Sequence, residues 1–64
     1  MIDYAKQIRE YRERKFLTQE QLAKLLGVNY VTISRWETGV FEPNMRMKKK
    51  LVKMFEEAGM NIYD

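Results

Sequence analysis

Residues 17–39 read LTQEQLAKLLGVNYVTISRWETG, and this stretch decides the fold. Thr18-Gln19-Glu20-Gln21 forms a capping box, in which the Thr18 hydroxyl serves the amide of Gln21 and the Gln21 side chain reaches back. Leu22, Ala23 and Leu26 then fall on one helical face. Gly27 can end that helix in the left-handed conformation without a Cβ penalty. Val28 enters the core from the turn, and Asn29 caps a second helix that runs to about Glu37 or Thr38 and stops at Gly39. A connection this short, built around a glycine, makes two helices cross steeply, as in a helix-turn-helix.

The flanks are helical as well. Asp3 can cap a helix from Tyr4 to about Lys15, with Tyr4, Ile8 and Tyr11 as its apolar stripe. After the short Val40–Glu42 loop, Pro43 and Asn44 start a last helix with Met47, Leu51, Met54, Phe55 and Ala58 at helical spacing, closed by Gly59. No segment alternates convincingly as a strand does. The expectation is a single all-α domain over residues 1–64, a bundle of four to five helices with a helix-turn-helix at 18–38.

The helix after Asn29 can be turned on a wheel. With Ile33 taken as inward, at about 100° per residue Trp36 and Glu37 lie within about 60° of it, and Val31, Arg35 and Thr38 point away. Thr32 and Ser34 flank that outer face. Arg can grip guanine O6 and N7 with two parallel hydrogen bonds, Val can pack on a thymine methyl, and hydroxyls serve several base edges. The other reading is an ordinary solvated face. Tyr30, in the first turn, suits either a base or phosphate contact or simple surface packing.

Composition narrows the function classes. The 64 residues carry a net charge of +3 and contain no Cys and no His, so disulfides and the usual zinc sites are excluded. Without these residues, a convergent carboxylate pair or a phosphate-cradling glycine loop, an enzyme is not expected, nor is a cofactor. Residues 45–55 hold Arg46, Lys48, Lys49, Lys50 and Lys53 and no acid, which suits either a solvated helix face or phosphate contact. No apolar run reaches the roughly 18 residues of a membrane span, so a cytoplasmic protein is expected.

Leu17–Ala23, Leu26-Gly27-Val28-Asn29, Thr32–Glu37, Gly39 and Pro43, in this spacing, resemble the phage Cro and repressor (XRE-type) family of helix-turn-helix transcription regulators, over about residues 8 to 44. The resemblance implies a lambda-repressor-like domain that binds double-stranded DNA. It implies that Gln19 bonds a phosphate and buttresses the recognition helix, that Asn29, Tyr30, Val31 and Arg35 approach bases or adjoining phosphates, and that Thr38 grips the backbone. With the wheel added, Tyr30, Val31, Thr32 and Arg35 are expected on bases, and Gln19, Asn29, Ser34, Thr38 and Arg46 on the backbone. Arg12 and Glu37 match a partly buried salt bridge between the first and third helices. Two departures stand out. Phe16 occupies a position where the family often has Gly or a polar residue, and one longer helix is expected after Pro43.

One recognition helix reads only about four or five base pairs, so a homodimer reading half-sites about 34–36 Å apart is expected. Residues 44–64 are the expected dimerisation region, with Met54, Phe55, Met60, Ile62 and Tyr63 in the interface. The alternative is that the tail folds back onto its own core. The expected function is operator binding with a repressor outcome and no small-molecule ligand. The competing class is a protein–protein module such as an antitoxin-like or anti-regulator subunit, and RNA binding ranks third for want of a sheet platform or a basic arm.

Overall fold

The computed structural model describes Ile2 to Ile62, and among these residues there are four helices and no strand. Helix α1 spans Tyr4–Arg14, and its N-cap Asp3 accepts a hydrogen bond from the Lys6 amide at 3.2 Å. Helix α2 spans Gln19–Leu26 behind a complete capping box: the Gln21 amide donates to Thr18 Oγ1 at 3.1 Å, and the Thr18 amide to Gln21 Oε1 at 2.8 Å. Gly27, at φ 71°, ends α2. Helix α3 spans Tyr30–Glu37, with Asn29 Oδ1 accepting from the Val31 amide at 2.9 Å. Helix α4 spans Met45–Glu57 as one unbroken helix capped by Asn44.

The inward stripes of these helices meet in a single core. Ile8, Leu22, Ile33, Leu51 and Phe55 are fully buried, with Tyr11 and Trp36 beside them. Helices α2 and α3 pack on each other, and α3 packs on α1. Helix α4 docks on α1, where the rings of Tyr11 and Phe55 lie 5.9 Å apart and tilted by 55°. The outcome is that α3 is clamped along one side and open along the other.

The tail corrects one expectation. Met60 and Ile62 are buried at 6% and 2% exposure in the chain's own core, and Phe55 is buried with them. Met54 is half-buried against the same cluster, and Tyr63 lies outside the described residues. Phe55, Met60 and Ile62 complete the bundle of the single chain and are not left open on its surface. The cause is a Schellman turn at the end of α4. The Met60 amide bonds Phe55 O at 3.1 Å and the Gly59 amide bonds Glu56 O at 3.0 Å, so the residue after left-handed Gly59 is set back against Phe55. A chain this short has little apolar surface to spare, and Met60 and Ile62 go inward.

Candidate nucleic-acid interface

The outer face of α3 carries polar, aromatic and methyl groups on a fixed support. Ile33, Trp36 and Glu37 are buried, which orients the helix about its axis. Tyr30 is 53% exposed and Val31 37%, while Arg35 and Thr38 are exposed and Thr32 and Ser34 half-buried on the flanks. Asn29 is exposed, with its side-chain carbonyl engaged as the α3 cap. Thr38 Oγ1 donates to Arg35 O at 3.2 Å, closing the far end of the helix. Arg46 is exposed in the first turn of α4.

Glu37 is the anchor of this support. Its carboxylate accepts from Arg12 Nε at 2.8 Å, Arg12 Nη2 at 3.0 Å and Gln19 Nε2 at 3.2 Å. Three helices are therefore joined at one side chain, whose own exposure is only 4%. Arg12 also donates through Nη1 to Leu17 O at 3.3 Å, which holds the chain entering α2. The hydrogen bond to Glu37 raises the Arg12 pKa above the ordinary guanidinium value, against the opposing pull of burial. Gln19 is thus a link from α2 to α3, and one of its amide hydrogens is committed to Glu37.

Sequence reasoning missed a contact beside Arg35. Its guanidinium lies 5.5 Å from the centroid of the Phe41 ring, and its carbonyl accepts the amides of Val40 at 3.1 Å and Phe41 at 3.4 Å. An exposed cation–π contact of this kind is worth about 0.5–1 kcal/mol, enough to bias the rotamer of a long side chain. The available signal was an aromatic residue just past Gly39, but nothing in the spacing shows that the loop turns back over Arg35. The basic run also divides. Lys48 sits 5.2 Å from the Tyr4 ring centroid and 3.6 Å from Glu42, whereas Arg46, Lys49, Lys50 and Lys53 are exposed. Among the described residues no group of acidic side chains could hold a metal ion, and no helix is long and apolar enough to cross a membrane.

Comparison with known proteins agrees with this geometry. A family model described as helix-turn-helix matches residues 8–58. The HTH-type transcriptional activator BcrR of Enterococcus faecalis is 41% identical over 54 residues, 84% of this chain and 26% of that protein. An HTH-type transcriptional regulator of Archaeoglobus fulgidus is 42% identical over 48 residues, 75% of this chain and 69% of its own length. An HTH-type regulator of Methanocaldococcus jannaschii is 40% identical over 57 residues, 89% of this chain and 82% of its own. The chain therefore spans about a quarter of the activator and most of the two archaeal proteins. No solved structure matches. With a family match across most of its length, a capped α2–turn–α3 unit and an open face on α3, this chain belongs to the XRE-type helix-turn-helix family of DNA-binding transcriptional regulators.

Proposed function

We propose that the chain recognises a short operator in double-stranded DNA by laying α3 in the major groove. The observation that carries this reading is the division of α3: Ile33, Trp36 and Glu37 are sealed in the bundle, and Tyr30, Val31 and Arg35 stand outside on a helix held at both ends. Tyr30, Val31, Thr32 and Arg35 face base edges, and Arg35 takes a guanine in bidentate fashion. Gln19, Asn29, Ser34, Thr38 and Arg46 contact the sugar–phosphate backbone and set the register. Arg12 and Glu37 stay structural.

Two copies occupy one operator, because a single α3 offers too few contacts to select a site among a genome's competitors. Met60 and Ile62 are spent in the core, and the exposed apolar side chains among the described residues that remain for such pairing include Leu25, Val40, Phe41 and Met45, at 57%, 65%, 56% and 68% exposure. The outcome at the promoter is repression, since occlusion of polymerase needs occupancy alone. BcrR carries the name of an activator, and this chain matches only a quarter of it. The site of action is the cytoplasm, where the operator is.

Selection of bound duplexes from a random pool, followed by Arg35→Ala, tests the assignment. A consensus containing guanine should emerge from the native chain. The variant should bind it about 10- to 100-fold more weakly and lose preference at that base. An equal loss on selected and random DNA would make Arg35 a phosphate contact. Binding to a protein partner that persists at high salt, with no DNA retained at low salt, would favour a protein–protein module instead.

A further inference from the structure

The four helices of the described residues share one backbone ending, and in one of them the left-handed residue is not glycine. In each case the backbone closes with a 6→1 and a 5→2 hydrogen bond around a left-handed residue. That residue is Gly27 after α2, Gly39 after α3 and Gly59 after α4. After α1 it is Phe16, at φ 55°, with the Leu17 amide bonded to Arg12 O at 2.9 Å and the Phe16 amide to Glu13 O at 3.2 Å. Left-handed backbone is unfavourable for a bulky side chain. Burial does not offset that cost here, because Phe16 is 93% exposed and its ring lies outside the core. Glycine would serve the fold better.

The surroundings of the ring indicate its use. Phe16 and Tyr30 both line an open concavity of about 500 Å³ at the start of α2, together with Arg12, Leu17, Thr18, Gln19 and the carboxylate-bearing Glu20. Tyr30 is also more than half exposed. The capping box takes the amides of Thr18 and Gln21, which leaves those of Gln19 and Glu20 as the helix-start donors there. The concavity therefore combines aromatic rings with donors for an anion. A nucleic-acid strand alternates in the same way, an apolar deoxyribose face beside each phosphate.

We propose that Phe16 is a DNA-contacting residue that packs on a deoxyribose of the backbone strand at the outer edge of the half-site, with the adjoining phosphate at the start of α2. This rests on the DNA reading above, since α3 in the groove brings its Tyr30 end and α2 against the same strand. The contact is apolar and carries no base preference.

The test compares the native chain with Phe16→Gly, Phe16→Tyr and Arg35→Ala on the duplex selected by the native chain. Phe16→Gly should melt no lower than the native chain, and should bind about five- to tenfold more weakly, the effect of returning half a phenyl ring to water. Base preference and salt slope should stay unchanged, because no cation is removed. Phe16→Tyr should bind as the native chain does. Hydroxyl-radical footprinting reads the sugars directly: protection at the outer edge should vanish in Phe16→Gly and persist at the centre. Native-like affinity and footprint for Phe16→Gly, while Arg35→Ala still loses its base preference, would overturn the role of Phe16 alone. If the native chain selects no duplex, both readings fall. A loss confined to self-association in sedimentation would make the ring a protein contact and would also overturn the proposal.

Discussion

Removing Arg12 should destabilise this domain far more than removing Glu37, and removing both charges should be milder than removing Arg12 alone. In Arg12→Met the Glu37 carboxylate, at 4% exposure, keeps one neutral donor, Gln19 Nε2 at 3.2 Å, and loses both guanidinium bonds. An uncompensated buried charge of this kind costs about 3–5 kcal/mol. In Glu37→Gln the Arg12 side chain is 24% exposed and retains Leu17 O, so water can serve its released hydrogens and the loss should be about 1–2 kcal/mol. The double variant leaves two neutral groups and should lose about 1–2 kcal/mol in total. The domain as a whole is stable by only about 3–10 kcal/mol at this length, and each kcal/mol moves the melting point by roughly 8 °C. Arg12→Met should therefore melt about 25 °C or more below the native chain, and the double variant about 10–15 °C below. Circular-dichroism melts and urea titrations of the four proteins at neutral pH measure the cycle. Losses that add within about 0.5 kcal/mol would refute the coupling, as would an Arg12→Met protein more stable than Glu37→Gln. Changing pH is no substitute. The folded-state pKa of Arg12 is raised, so its contribution is fully present below the unfolded value and is lost only as strongly alkaline pH passes the folded one.

Two further expectations follow. Gln19→Ala should weaken DNA binding alike on selected and random duplexes, and should also lower stability by about 0.5–1.5 kcal/mol through its lost bond to Glu37; a loss specific to one base pair in a binding titration would contradict it. Ile62→Ala, at a site only 2% exposed, should cost about 2–5 kcal/mol in urea unfolding without changing the sedimentation coefficient of the folded protein. A neutral effect on stability combined with loss of a dimer would restore the tail as an interface.

Helix starts and stops were legible in the chain because they are local chemistry. Asp3, Thr18 with Gln21, Asn29 and Asn44 each bond an amide two or three residues away, and Gly27, Gly39 and Gly59 each supply a left-handed stop. The inward face of α3 was legible too, since a period of 3.6 residues fixes which side chains share a face once Ile33 is taken as buried. A candidate site read this way consists of the residues left on the outside: Tyr30, Val31 and Arg35.

Other features depend on which element covers which, and no spacing in the chain encodes that. Phe41 lies over Arg35 because the α3–α4 loop folds back across six residues. Gln19 reaches Glu37, eighteen positions along the chain, because α2 and α3 cross. Phe16 stands out in the chain as a departure from the family pattern, but its left-handed backbone and bare ring are seen only in place. The tail is the clearest case. Met60 and Ile62 are equally apolar whether they close their own core or a partner's, and hydrophobicity has no direction. The Schellman turn at Gly59 supplies the direction, and the core shared by the four helices accepts them.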